Sequence, residues 1–249
     1  MDTTGKHTRA MILAAGLGTR FKPWTDQHPK ALALVNEKSL LQRNVQWLQE
    51  YGIRDVIVNV HHFADQVMHA IKLHNGWGSQ VTLSDETNEV LETGGGLKKA
   101  GWFFGKDPFV LLNVDVLTDL SLDAMMDQHL ANHSLATLAV MERETSRYFL
   151  FNEAGNLCGW RNVKTGEEKG PVLQYSADQR HAVVQKAFSG VHVIDPALLP
   201  KISRKGKFSM VDVYLDLAAN EAIKFFDHTG SKLVDVGMVD SVKVAEELF

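Results

Sequence analysis

Met11-Ile-Leu-Ala-Ala-Gly-Leu-Gly-Thr-Arg20 joins an apolar run to a glycine loop, and the architecture follows from that junction. The apolar residues 10–13 read as a buried strand, and Gly16 and Gly18 read as a loop at its carboxyl end. Such a loop offers backbone N–H groups to a polyphosphate, because residues without side chains let anionic oxygens approach the main chain. Arg20 adds a guanidinium able to fork onto phosphate. Two named phosphate motifs do not apply. The dinucleotide fingerprint needs a third glycine that Gly16-Leu-Gly18 lacks, and the Gly-Lys-Ser/Thr of a P-loop is absent. A turn that binds nothing is the alternative for the loop taken alone.

Further apolar runs at 56–60 and 109–114 read as buried strands. Between them, Leu41, Val45 and Leu48 repeat at helical spacing, with Ser39 as cap and Gly52 as stop. Phe63, Val67 and Ile71 mark a second helix, and Leu122, Met125, Met126 and Leu130 a third. Alternating strands and helices imply crossovers, hence an α/β fold: a Rossmann-like, mostly parallel sheet flanked by helices. Residues 142–194 read as short strands, with turns at 152–156 and 164–170, forming a small β-rich excursion that caps the sheet. The chain then returns to a helix at 213–222, strands near 223–226 and 233–236, and a closing helix from Asp240. The expected organisation is one domain over 1–249, with a first part at about 8–141 and a second at about 142–249.

A chain of 249 residues can bury roughly 70–75% of its unfolded surface, enough for a full core without staples. Cys158 is the only cysteine, which excludes internal disulfides and paired-thiolate zinc sites and fits a reducing cytoplasm. With 26 basic and 30 acidic residues the net charge is −4, and no Lys/Arg cluster suggests nucleic-acid or anionic-membrane binding. No apolar run approaches the ~20 residues of a membrane helix. Lys6, His7 and Arg9 before the first apolar run resemble a signal peptide only faintly, and a first strand explains the run better.

Four more segments bear on chemistry. Lys30 follows Pro29 and becomes a second candidate cation beside Arg20, against the plain reading of a solvated lysine. Leu91-Glu-Thr-Gly-Gly-Gly-Leu97 enters a helix, and three glycines in succession imply unusual dihedrals or close ligand approach, or a tight turn. Asn113 and Asp115 stand at the carboxyl end of an apolar strand, where open α/β sheets bind ligands. Asp235 ends another apolar strand. Two such aspartates suit one Mg²⁺, which takes hard oxygens, although either alone reads equally well as a turn or cap. His61 and His62 read as structural or solvated, and Trp102-Phe-Phe104 and Phe225-Phe226 as core. Arg143 and Arg147 fall in the excursion, where surface pairing competes with contact to an anionic ligand.

Taken in order, Leu13-Ala-Ala-Gly-Leu-Gly-Thr-Arg20, Pro29-Lys30, Glu92-Thr-Gly-Gly-Gly96, Asn113-Val-Asp115, Phe188-Ser-Gly-Val191 and Val234-Asp-Val-Gly237 resemble the sugar-1-phosphate nucleotidyltransferases. The resemblance runs from about Arg9 to Phe249. It implies an enzyme that makes an NDP-sugar and pyrophosphate from a nucleoside triphosphate and a sugar 1-phosphate. Ala14, Gly16, Gly18, Thr19 and Arg20 would hold the nucleotide, with Thr93 and Gly94 near its nucleoside. Lys30 would bridge the phosphates at the reacting centre. Asn113, Lys186 and Gly190 would hold the sugar phosphate, and Asp115 and Asp235 would hold Mg²⁺. The E-T-G-G-G loop and the short chain are most similar to members that use UTP and N-acetylmuramate 1-phosphate in cell-wall recycling. Hexose, heptose or choline phosphates with GTP, CTP or dTTP, and a non-catalytic nucleotide-sensing homologue, are the alternatives. The Glu-Lys-Pro by which many hexose-phosphate members hold the sugar phosphate is missing, and Lys186 takes its place in this reading. No nucleic-acid or membrane partner is expected, and a homo-oligomer is compatible with the sequence.

Overall fold

The computed structural model describes residues 8–249, so Lys6 and His7 lie outside the described residues. Strand β1 (Ala10–Leu13) is buried along its whole length, as a strand covered on both faces must be. Three short 3₁₀ turns follow, Thr19–Phe21, Trp24–Asp26 and Lys30–Leu32, then a two-residue hairpin of β2 (Leu34–Val35) and β3 (Lys38–Ser39). Helix α1 (Leu40–Glu50) starts at Ser39, whose hydroxyl accepts the Gln42 N–H at 3.1 Å, the cap expected of that residue. Then come β4 (Asp55–Val60), α2 (Ala64–Leu73), β5 (Gln80–Asp85), α3 (Glu92–Ala100), β6 (Phe109–Asn113), β7 (Val116–Thr118), α4 (Leu122–Ala131) and β8 (Ala136–Met141). The second part carries β9 (Arg147–Phe151), β10 (Leu157–Asn162), β11 (Glu167–Lys169), α5 (Ala177–His181), β12 (Val184–Ile194), α6 (Met210–Leu217), β13 (Ile223–Asp227), β14 (Leu233–Asp235) and α7 (Asp240–Leu248).

The main sheet has ten strands. Strands β5, β4, β1 and β6 run parallel in that order, and β12 continues the sheet antiparallel to β6. β12 is long enough to serve two neighbours on its other edge. Its end pairs with β8, which carries β13, while its beginning pairs with β9, which carries β10 and β11. The excursion is thus hydrogen-bonded onto the same sheet.

Alternation along the strands feeds two cores. Ala10, Ile12, Val56, Val58, Val110 and Leu112 face one side, covered by Leu41, Val45 and Leu48 of α1, Val67 of α2 and Met125 of α4. Met11, Leu13, Ile57 and Leu111 face the other, covered by Leu97 of α3 and Met210, Val213 and Tyr214 of α6. His192 and Tyr214 are paired within this second core at 2.7 Å, and burial pushes the imidazole down to about 3, so it is neutral there.

Several boundaries differ from expectation. Phe63 precedes α2 in a left-handed conformation (φ 55°) instead of joining it, and His129, not Leu130, is buried beside Leu122 and Met125 in α4. Helix α6 begins at Met210, three residues early, because Ser209 and Asp212 form a reciprocal capping box. Trp102 is 69% exposed and not core, since the turn that carries it lies at the sheet's rim, and only Phe104 of that trio is buried. Edge strand β5 escaped the sequence reading because its face is only half covered and its residues are mostly polar.

Candidate active site

The register places Leu13, Asn59 and Asn113 level with one another at the carboxyl ends of β4, β1 and β6. Strand order reverses there, the point at which open α/β sheets form ligand crevices. A cleft of 570 Å³ opens at this edge, with the loop 14–20 as its floor.

The loop is held from below. The Ala14 N–H donates to Asn59 Oδ1 (2.7 Å), and Asn59 Nδ2 donates to Glu86 Oε1 (2.8 Å). Asn59 and Glu86 are buried, and burial raises the Glu86 pKa against the hydrogen bonds and charges that lower it. Gly18 is left-handed (φ 59°), and a Cβ there would lie 2.9 Å from Thr25 Cγ2 and 3.2 Å from Lys30 Cβ. Its missing side chain therefore lets Lys30 pack beneath the loop. Gly16 differs, because a Cβ there would meet nothing within 4 Å. Packing does not ask for glycine at 16, and the space beside it is open to the cleft that it lines.

Four charges gather on the β6 side of the loop. Lys30 Nζ lies 2.5 Å from Asp115 Oδ2, with the lysine side chain only 10% exposed. β14 pairs antiparallel with β7, setting Asp235 opposite Val116, and the Val236 N–H donates to the Asp115 carbonyl at 2.8 Å. The two aspartates therefore flank one junction. A Cβ on Gly237 would stand 2.9 Å from Asp235 Oδ1 and 3.2 Å from Arg20 Nη2, so both of those side chains converge over a residue that leaves them room. Asp235 itself is exposed and stands just outside the cleft lining, beside Gly237, which lines it. Its pKa is raised, first by partial loss of hydration and then by the Asp115 charge, while Lys30, Arg20 and Arg143 pull it down. Two oxygen donors whose charges oppose each other suit a divalent cation. Among the described residues no group of three His, Cys, Asp or Glu could hold a metal alone. A cation here would complete its shell with water or substrate oxygens, as Mg²⁺ commonly does.

The glycines of Glu92-Thr-Gly-Gly-Gly96 correct the expectation of a loop with unusual dihedrals or close ligand approach. All three lie inside α3 and are crowded by the chain itself: a Cβ would be 2.6 Å from Phe208 at Gly94, 2.5 Å from the Gly206 carbonyl at Gly95 and 2.7 Å from Glu86 at Gly96. The Gly94 and Gly95 N–H groups both donate to the Phe208 carbonyl (3.0 and 3.2 Å), and Thr93 Oγ1 accepts the Met210 N–H. Gly94 is thus buried against the 206–209 segment and absent from the cleft lining, whereas Thr93 lines it.

Glu92 lines it too, with φ 59°. A non-glycine residue held there costs of order 1–3 kcal/mol. A carboxylate in the first turn of a helix returns about 0.3–1 kcal/mol, and a 3.5 Å ion pair with Lys207 between two half-exposed side chains returns about 0–1 kcal/mol. Helix stabilisation and ion pairing thus do not account for a glutamate at this position.

Other expected residues are placed as follows. Asn113 lines the cleft. Gly190 (φ 77°) is buried behind it, where a Cβ would strike Val116 at 2.7 Å and Asn113 at 3.0 Å. Lys186 is outside the cleft lining and is neutralised twice, by Glu142 at 2.9 Å and Asp227 at 2.7 Å. Arg143 Nη2 donates to the Phe188 carbonyl at 2.9 Å. His61 bonds the Glu86 carbonyl, His62 is exposed, and neither lines the cleft. Cys158 is buried. Sequence reasoning missed Asn59 and Glu86; the one available signal was a lone asparagine inside the apolar run 56–60. It also missed Lys207 and Ser209, which reach the cleft only through the clamp on α3.

The family model described as nucleotidyl transferase matches residues 9–172. The N-acetylmuramate alpha-1-phosphate uridylyltransferase of Neisseria meningitidis serogroup B is 34% identical over 242 residues, covering 96% of this chain and 97% of that protein. That of Caulobacter vibrioides is 30% identical over 219 residues, covering 85% and 84%. The crystal structure of HddC from Yersinia pseudotuberculosis superposes with a TM-score of 0.75 at 21% identity, covering 96% of this chain and 98% of the other.

Proposed function

Because this chain belongs to the nucleotidyl transferase family and has the nucleotide-diphospho-sugar transferase fold, we propose that it joins UTP to N-acetylmuramate 1-phosphate, forming UDP-N-acetylmuramate and pyrophosphate in cell-wall recycling. The observation that carries the reading is the convergence of Arg20, Lys30 and Asp115 at one side of a cleft whose floor is a glycine loop, with Asp235 at its margin. The choice of uridylyl donor and muramate acceptor leans on the two relatives that match over most of both chains.

In this reading a phosphate oxygen of the sugar 1-phosphate attacks the α-phosphorus of the nucleotide in line. The new P–O bond forms as the bond to the β-phosphate oxygen breaks, and the electron pair leaves with pyrophosphate. The attacking oxygen is already anionic near neutral pH, so no side chain has to remove a proton. Positioning and charge neutralisation supply the rate. Ala14, Gly16, Gly18 and Thr19 seat the nucleotide by backbone contact, and Arg20 forks onto its outer phosphates. Lys30, already poised at the reacting junction, bridges from Asp115 to the phosphates. Asp115 and Asp235 would hold Mg²⁺, which when bound offsets the mutual repulsion of the two anionic substrates. Asn113, backed by Gly190, faces the acceptor. Lys186 takes a lesser part than the motif suggests: with two carboxylates on it, it braces β12 against β8 and β13 and supports the acceptor side from behind.

A crossed panel of UTP, CTP, GTP and dTTP with several sugar 1-phosphates, read by pyrophosphate release, tests this. UTP with N-acetylmuramate 1-phosphate should give the highest kcat/KM, at least about 10-fold above a hexose 1-phosphate that lacks the lactyl group. A higher value for another acceptor would overturn the muramate assignment, and no release with any pair would overturn the catalytic one.

A further inference from the structure

We propose that Glu92 and Lys207 are the base-reading pair of the cleft, taking a ring N–H beside a carbonyl, as uracil presents, and refusing cytosine. The inference rests on the nucleotide reading above and deepens it. In that reading the triphosphate belongs with Arg20, Lys30 and Asp115, which line the cleft on the β6 side of the loop, and with Asp235 at its margin. Glu92, Lys207 and Ser209 line the cleft from the other side, where α3 packs over β4 and β5. A nucleotide laid along the loop thus brings its base to them.

Lys207 is fixed in place by the chain's own packing. Phe208 exchanges hydrogen bonds with α3, its N–H donating to the Leu91 carbonyl and its carbonyl accepting from Gly94 and Gly95. Only glycines at 94 and 95 allow that approach. The run of glycines therefore builds the wall that carries Lys207 toward Glu92. Their ion pair is long, 3.5 Å, and both side chains are half-exposed, so it separates readily for a ligand. A carboxylate accepts the uracil N3–H while an ammonium donates to an adjacent carbonyl. Cytosine held by its ribose and phosphates in that same pose presents an unprotonated N3, a lone pair facing the carboxylate, and is disfavoured; it could meet Glu92 through its N4 amino group only by shifting along the pair. The left-handed backbone at Glu92, unexplained by helix stabilisation, is then what aims its carboxylate at the base edge.

The test is nucleotide binding by calorimetry to the full chain with Mg²⁺ and no acceptor, comparing UTP with CTP. Wild type should prefer UTP by roughly 10–100-fold. Glu92→Gln and Glu92→Gly should each bring the ratio within about 3-fold, and Lys207→Met should weaken UTP more than CTP. Glycine takes φ 59° freely, so Glu92→Gly should melt no lower than wild type while losing its preference, a combination that a merely structural glutamate would not produce. Equal binding of the two nucleotides by wild type, or an unchanged ratio in both Glu92 variants, overturns the proposal. Should wild type prefer UTP but release no pyrophosphate with any acceptor, the catalytic reading fails and the base-reading pair stands.

Discussion

Asp115→Asn is expected to lower kcat by about 10²–10³-fold with both substrates and Mg²⁺ saturating. Asparagine keeps the shape and one oxygen of the side chain but removes its charge, so it weakens a metal ligand and strips Lys30 of its counter-ion at 2.5 Å. Lys30 is nearly enclosed, and leaving it unpaired should also cost about 1–3 kcal/mol of stability, less than for a fully buried pair because Asp115 itself is about a quarter exposed. The two losses separate experimentally: a melt reports the second, and turnover of the folded fraction reports the first. Calorimetric titration of Mg²⁺ in the presence of a nucleotide should show weaker binding to the variant. A folded Asp115→Asn protein with wild-type kcat would remove this aspartate from the reacting centre.

Gly95→Ala should destabilise the protein by about 1–3 kcal/mol, although helix propensity alone argues the opposite sign. Alanine in a helix interior is favoured over glycine by about 0.8–1.0 kcal/mol. Here the added methyl would lie 2.5 Å from the Gly206 carbonyl, a backbone atom that cannot rotate away, and 3.0 Å from Leu91 Cβ. Relief requires the 206–209 segment to withdraw, which breaks the hydrogen bonds between Phe208 and α3 and moves Lys207 and Ser209 off the cleft wall. Urea unfolding should give a lower midpoint at unchanged slope, and the dissociation constant for UTP should rise several-fold in the folded protein. A variant as stable as wild type would mean that the segment shifts freely and does not set the wall.

The parts of this fold legible in sequence are those written in local pattern. Continuous apolar runs such as 10–13 and 109–113 announce strands buried on both faces, and Ser39 with Leu41, Val45 and Leu48 announces α1. Arg20, Asp115 and Asp235 stand out in the sequence because each sits at a strand end or beside a glycine loop, where ligand chemistry concentrates, and Lys30 because it shares with Arg20 the connection after β1. What depends on distant segments meeting was hidden. The glycines at 94–96 read as a loop because nothing local says that residues 206–209 and Glu86 press against them. Lys186 reads as a sugar-phosphate ligand because its partners, Glu142 just past β8 and Asp227 of β13, are both far from it in sequence. Asn59 and Glu86 shape the phosphate loop from beneath, through a chain of hydrogen bonds spanning residues 14, 59 and 86. Glu92 belongs to a motif visible in the sequence, yet its positive φ is a property of the fold that no spacing reveals.

At the centre of this account is direct transfer between two bound anions, with charge and position in place of a protein nucleophile. Exchange of labelled pyrophosphate into UTP tests that claim most directly. With UDP-N-acetylmuramate and Mg²⁺ present, the reversed displacement should carry label into UTP; with UTP, Mg²⁺ and labelled pyrophosphate but no sugar phosphate or nucleotide sugar, no label should enter. Exchange in the second mixture would require a uridylyl group held covalently by the protein and would contradict the account.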